Sequence, residues 1–349
     1  MCAEHGKMND LRKKNILYSI ILVVAVAAVW WFRDRERPPI EGQKIELKGL
    51  TMGTTYQVKY FSDGVMNYQE EIDSLLQEIN QSLSTYLETS EISRFNSSTL
   101  HKYEQPYFYD ILRKSQDIYK ATSGAFDPTI MQLVNAWGFG PQSHEIPSKP
   151  EVDSLLLTVG FDSIFFDELS VCKLRPNTQL DFSAIAKGYA VDVIAAFLAD
   201  KGHSNTFVEI GGEITARGVN QEGKPWAVYI EKPDEGKRSV QAMVGLADIA
   251  IATSGNYRNF YEKDGKKYAH TISPYTGYPV QHNLLSVSVF AQECAIADAY
   301  ATAFMVMGME KAGEIVKATE GLEAYFIYSD DNGEMQTLAT KGIKNQITE

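Results

Sequence analysis

Residues 323–340 read EAYFIYSDDNGEMQTLAT, two stretches of strand-forming residues on either side of Asp331-Asn332-Gly333. Asp, Asn and Gly are the residues of tight hairpin turns, so 323–329 and 334–340 are expected as the arms of an antiparallel hairpin. Directly joined strands argue against a doubly wound parallel sheet, in which every connection needs a crossover helix. Working outward, strand candidates lie at 162–167, 169–175, 205–210, 226–231, 241–252 and 284–290, with helices near 187–201, 293–307 and 310–319. Asp264-Gly265 marks a second hairpin. Strands outnumber crossover helices, and the fold class expected is α+β. Nearer the start, Tyr56, Val58 and Tyr60 alternate with polar residues after a Met52-Gly53-Thr54 turn, as in a half-buried strand. Helices are expected over 66–83, with Ile72, Leu75, Leu76, Ile79 and Leu83 at helical spacing, and over 107–122, ended by Gly124. Asp127-Pro128 reads as an N-cap and first-turn proline of a helix carrying Met131, Val134 and Trp137, and Pro147 to Gly160 as another short helix.

The 349 residues are 44% hydrophobic and 22% charged, enough to bury a sizeable core. A net charge of −12 with no segregated basic face disfavours nucleic-acid binding. Cys2, Cys172 and Cys294 are too far apart for a disulfide framework or a zinc cluster, although one bridge is arithmetically possible.

Ile16 to Phe32 contains no charge and reaches the lower edge of the ~17–25 apolar residues that cross a bilayer. Arg12, Lys13 and Lys14 precede it, and Trp30 and Trp31 close it. The run is a membrane anchor or a signal peptide. Ala25, Ala27 and Ala28 suit a signal peptidase, but the tryptophans extend the run beyond them and favour an uncleaved anchor. Positive charges are balanced across the span; those that abut it place the short tail inside and the large acidic domain outside. The expected organisation is a basic tail over 1–15, a span over 16–32, a charged, proline-containing linker over 33–43, and one folded unit over 44–349, in one body or two lobes.

The sequence has no G-x-x-x-x-G-K-[ST], G-x-S-x-G or H-E-x-x-H motif and no EF-hand loop. Three segments carry chemistry. Asp298 and Thr302 stand four apart on a helix, so a carboxylate and a hydroxyl can meet one hard cation such as Mg²⁺; equally, both can hydrogen-bond locally. Asp181 through Tyr189 spans a strand end and a helix start, where free N–H groups and Lys187 would form an anion site; the bland reading is a solvated lysine beside a packing glycine, Gly188. His270 begins a turn-rich stretch, His270 to Gly277, as a candidate general base or as a histidine that holds its own loop.

Taken in order, these segments resemble the ApbE family of FAD:protein FMN transferases. The landmarks are Met52-Gly53-Thr54, Ser84-Thr85-Tyr86 with Ser90 through Asn96, Gly124 through Thr129, Asp181 through Gly188, Gly211-Gly212, His270 through Gly277, and Asp298 through Thr302. Each is weak alone; the ordered set covers most of the chain, from about Met52 to Gly308. The resemblance implies a single large mixed α/β catalytic domain of T-fold-like kind behind an N-terminal span, in an enzyme attached to the cytoplasmic membrane with its catalytic domain on the periplasmic side. It implies a Mg²⁺ site of Asp298, Thr302 and the main-chain oxygen of Ala184. FAD, the substrate, would meet Met52, Tyr86, Ala125, Phe126, Asp127, Asp181, Lys187 and Ile272. It also implies transfer of FMN from FAD to a Ser or Thr hydroxyl with release of AMP. Acceptors would be flavoprotein subunits of membrane redox complexes carrying a Gly/Ser/Thr-rich segment. In that chemistry Lys187 stabilises charge and His270 is the base, with Asp298 second. The rival readings are a Mg²⁺-dependent FAD pyrophosphatase giving FMN and AMP, and a non-catalytic, membrane-tethered FAD-binding protein. One departure stands out: Ser273 occupies a position that is acidic in many family members.

Overall fold

A computed structural model describes residues 17–25, 40, 42–64, 66–140, 146–234, 239–256, 260–263 and 266–348. Its strands are β1 (Gln43–Thr51), β2 (Thr54–Ser62), β3 (Leu100–Lys102), β4 (Ile164–Phe166), β5 (Ser170–Lys173), β6 (Thr206–Ile210), β7 (Glu213–Arg217), β8 (Trp226–Glu231), β9 (Val240–Leu246), β10 (Ile249–Gly255), β11 (Phe260–Lys263), β12 (Lys266–Ala269), β13 (Leu284–Ala291), β14 (Glu323–Ser329), β15 (Met335–Ala339) and β16 (Ile347–Thr348). The helices used below are α1 (Gln69–Leu83), α2 (Glu91–Asn96), α3 (Pro106–Ala121), α4 (Met131–Ala136), α5 (Lys149–Leu156), α6 (Ala186–Asp200), α7 (Cys294–Met307) and α8 (Met309–Ala318).

An eight-stranded sheet in the order β1-β2-β6-β7-β10-β13-β14-β15 forms the middle layer, and its neighbouring strands run antiparallel. Both of its faces are buried. In β10, Ala250 and Ala252 face the helical core while Ile251 joins the opposite cluster; in β14, Ala324 and Phe326 oppose Tyr325 and Ile327 in the same way. The period of two along a strand thus feeds two cores at once. On one side lie α1, α3, α6 and α7. On the other, Trp226, Val228 and Ile230 of β8 and Ala242, Val244 and Leu246 of β9 cover the sheet from a three-stranded sheet ordered β16-β9-β8. The fold is α+β, as expected, and the 323–340 hairpin pairs from Tyr325↔Ala339 to Ser329↔Met335.

Several expectations need correction. The stretch 241–252 is two strands, because the chain reverses through Asp248 in the left-handed region (φ 56°) without a glycine or proline to mark the turn. Asp127 does not cap a helix; it accepts the Thr129 N–H (2.8 Å) and hydroxyl (2.6 Å), and α4 starts later, at Met131. The Met52-Gly53 turn closes the β1–β2 hairpin with positive φ at both residues, 48° and 72°, the pattern of a type I′ turn. Of the expected span 16–32, residues 17–25 are helical, and the remainder lies outside the described residues. Among the described residues no helix is long and apolar enough to cross a membrane. The tail 1–15 and most of the linker 33–43 also lie outside them.

Candidate functional site

The site grows from the joint between α6 and α7. Asp181 accepts the N–H (2.8 Å) and hydroxyl (2.5 Å) of Ser183, and this Asx-type turn delivers the chain into α6 with Ala184 before it and Lys187 in its first turn. The start of α7 is held by Asp192 of α6, whose two carboxylate oxygens accept the Cys294 and Ala295 N–H groups, each at 2.8 Å. Burial pushes Asp192 up to about 6 even though those N–H groups favour its charged form. Gly188 lets the helices touch: a Cβ there would stand 2.6 Å from the carbonyl carbon of Cys294. The bare Gly188 N–H instead donates to Asp298 Oδ2 at 3.0 Å. The bland reading of Gly188 as a packing glycine is therefore correct, and that packing is what positions Asp298.

A cavity of about 990 Å³ opens beside this joint. Ala184 and Lys187 line it from the start of α6, Asp298 and Thr302 from α7, and Asp181 from the turn between. Ala125, Phe126 and Asp127 enter from the loop after α3, Tyr86 from the loop after α1, and His270 and Ile272 from the stretch before β13. Segments more than a hundred residues apart in sequence thus share one space. Met52 is the exception. It does not line the cavity, although its turn adjoins a wall of it: a Cβ on Gly211 would come within 2.8 Å of Thr54 Cγ2.

Glu213, which the sequence reading passed over, proves central. It opens β7 after Gly211 and Gly212, both at positive φ, and is buried while lining the cavity. Its Oε1 sits 2.6 Å from Lys187 Nζ, and among the described residues its Oε2 has no hydrogen-bond partner. Burial alone would lower the Lys187 pKa, but the Asp298 and Glu213 carboxylates outweigh it and hold the ammonium charged. Burial raises both carboxylates, and Lys187 pulls each back down. Lys187 keeps 30% exposure toward the cavity, whereas Asp298 is only 4% exposed. One ammonium shared between two buried carboxylates leaves surplus negative charge, which a further cation would balance.

The donors present fit a hard divalent cation. Asp298 supplies a carboxylate, Thr302 a hydroxyl one turn along, and Ala184 a main-chain oxygen in the same cavity. Ser254 Oγ lies 3.4 Å from Thr302 Oγ1 and adds another oxygen to that wall. Among the described residues no group of three or more His, Cys, Asp or Glu could hold a metal. So sparse a set suits Mg²⁺, which completes its shell with waters and phosphate oxygens.

The loop-borne lining of the same cavity carries rings and polar groups that suit an aromatic, polar ligand. Tyr86 is 65% exposed, and burial, then the Asp181 charge, raises its pKa. Burial pushes Asp127 up to about 6, opposed by its bonds from Thr129. The His270 ring stands edge-on to Phe139 with centroids 6.3 Å apart. Ser273 is buried, and its hydroxyl accepts the Tyr275 N–H at 3.3 Å, so a hydroxyl turns the loop where a carboxylate was missed. Trp137 Nε1 donates to the Gly277 carbonyl at 2.7 Å and pins the far end of that loop.

Comparison with known proteins identifies the family and the fold. The model of the ApbE family matches residues 52–326. A FAD:protein FMN transferase of Haemophilus influenzae is 41% identical over 310 residues, covering 84% of this chain and 89% of its own length. One from Vibrio cholerae is 38% identical over 320 residues, with 88% and 94% covered. Among solved structures, the flavin transferase ApbE from Vibrio cholerae superposes with a TM-score of 0.80 at 37% identity, covering 87% of this chain and 99% of that one. The apo flavinyl transferase ApbE of Pseudomonas stutzeri gives 0.78 at 32% identity, covering 87% and 96%.

Proposed function

The chain belongs to the ApbE family and is a FAD:protein FMN transferase; from that premise we propose that it carries the FMN of FAD to a Ser or Thr hydroxyl of an acceptor flavoprotein, releasing AMP. The observation that carries this reading is the convergence of Lys187, Asp298, Thr302 and Ala184 on one cavity with Tyr86, Asp127, His270 and Ile272.

Asp298, Thr302 and the Ala184 carbonyl would hold Mg²⁺, which when bound supplies Lewis-acid polarisation of a diphosphate and neutralises charge on it. Lys187, kept charged by its two carboxylates, faces the same space and stabilises the negative charge that builds on the phosphate oxygens. The positive end of the α6 dipole adds to it. The acceptor oxygen bonds to the phosphorus of the FMN moiety as the bond from that phosphorus to the bridging oxygen breaks, and AMP departs with the electron pair. His270 takes the hydroxyl proton. Tyr86 offers an exposed ring for a flat ligand.

The acceptors proposed are flavoprotein subunits of membrane redox complexes, and residues 16–32 would tether the enzyme beside them on the periplasmic face of the cytoplasmic membrane. The side chains of Leu17, Ile20, Ile21, Leu22, Val23 and Val24 are all exposed on the helical stretch 17–25, which supports a lipid-facing role. The test incubates the full-length protein with FAD, Mg²⁺ and such a subunit. Flavin fluorescence on the subunit band, with AMP in equal amount, is expected. AMP without labelled protein would favour the pyrophosphatase, and flavin binding that survives chelation with no AMP would leave only a binding protein.

A further inference from the structure

β8 is the outer strand of its three-stranded sheet. It pairs with β9 from Trp226↔Leu246 through Ile230↔Ala242, and among the described residues no strand pairs with Ala227–Ile230 on the other side. Every second residue there turns its N–H and C=O outward. Val228 and Ile230 are buried between the two sheets and Tyr229 is 61% exposed, yet all three line the cavity that holds Lys187 and Asp298. Successive side chains leave opposite faces of a strand, so a cavity bordered by three in a row meets that strand along its backbone edge.

Among the described residues this edge carries little charge: Glu231, which ends β8 and also lines the cavity, is only half-exposed. The outer strand of the large sheet, β1, carries Lys44, Glu46 and Lys48 in ion pairs, the kind of charge that keeps strand edges from pairing. The exposed residues of β8, Ala227 and Tyr229, are uncharged, and the cross-strand neighbour of Tyr229, Met243, is exposed as well. Tyr229 and Met243 make a small apolar step beside the open backbone.

We propose that β8 is the docking edge for the acceptor: an extended segment of the acceptor protein adds to it as a further strand and delivers its hydroxyl into the cavity. The inference rests on the transferase reading and specifies how its protein substrate is held. Main-chain hydrogen bonds supply affinity, and alternate side chains of the segment point toward and away from the cavity. A Ser or Thr at one inward position then reaches the phosphate side.

The test substitutes proline at each position of the acceptor segment except the modified one and measures flavin transfer by the full-length enzyme. Loss of transfer at every second position is expected, because proline removes an N–H that only alternate residues need. In parallel, Tyr229→Ala should raise the KM for the acceptor about tenfold and the KM for FAD much less. Uniform tolerance or uniform loss along the segment, or an unchanged acceptor KM for Y229A, overturns the docking edge while the transferase reading stands. A dimer in size exclusion that Y229A dissociates would assign the edge to a second copy of this chain and also overturns it. If the unaltered enzyme labels no acceptor, the transferase reading itself has failed.

Discussion

Replacing Gly188 with alanine tests whether the contact between α6 and α7 is what places Asp298 and Thr302 in the cavity. The new Cβ would sit 2.6 Å from the Cys294 carbonyl carbon and 2.8 Å from the Ala295 nitrogen. Carbon atoms rest at about 3.5–4.0 Å, so the start of α7 must retreat by about 1 Å. Backbone lies on the far side of the clash, and no side chain can swing away to absorb it. Overpacking of this kind costs about 1–3 kcal/mol, and the better helix propensity of alanine returns about 1 kcal/mol, leaving a net loss of about 0–2 kcal/mol. The larger effect falls on activity. Asp298 lies one turn beyond the point of collision and loses its 3.0 Å bond from the Gly188 N–H, and a misplacement of about 1 Å at a reacting centre costs on the order of 10²-fold in rate. Urea unfolding measures the first quantity and flavin labelling of the acceptor the second. A Gly188→Ala protein with unchanged urea midpoint and unchanged labelling rate would refute the claim that this seam positions Asp298.

Asp298→Ala should abolish Mg²⁺-dependent turnover while the circular dichroism spectrum stays native, and turnover with an unaltered Mg²⁺ dependence would reject the metal assignment. Glu213→Gln keeps the shape of the side chain but removes the charge paired with Lys187; labelling is expected to fall about 10–100-fold, and an unchanged rate would show that the pair has no part in transfer. His270→Asn should slow labelling by about 10²–10⁴-fold, and a normal rate would mean that another group accepts the proton. Asp127, raised by burial to about 6, favours its protonated form in the folded chain, so its contribution to stability is complete below its ordinary value of 3.8 and is lost as pH rises through about 6. Asn in its place can still accept both Thr129 bonds at one oxygen; the unfolding free energy of the unaltered protein in urea should drop relative to that of Asp127→Asn between pH 4 and 7, by an amount on the order of 3 kcal/mol, and parallel profiles would contradict the assigned shift.

The sequence disclosed those parts of the site whose local chemistry has a signature. Asp298 and Thr302 stand one helical turn apart, and Asp181 through Lys187 opens a helix; both patterns follow from short-range geometry, and both line the cavity. Glu213 escaped because its meaning is entirely tertiary: a carboxylate at the start of a short strand looks exposed until Lys187 arrives from α6. A clue was present in the two glycines before it, which leave room for close backbone approach in front of an acidic residue. β7 was missed for a related reason, since Glu213–Arg217 begins and ends on a charge and shows little alternation. The split of 241–252 lay hidden because Asp248, not glycine, takes the left-handed turn. Met52 follows the same logic in reverse. Its turn was legible, but its position one step away from the cavity depends on how Thr54 meets Gly211.

The seam between α6 and α7 also bears on how the enzyme breathes. Asp192 clasps the first two amides of α7, Gly188 removes the last spacer between the helices, and alanines fill much of what remains, so the joint has no slack in which to open and shut. Any change of shape in the cavity would then fall on its loop-borne lining, around Asp127 and His270, rather than on this joint. The charged side chains of Lys187 and Asp298 thus stand on an anvil of packed helices.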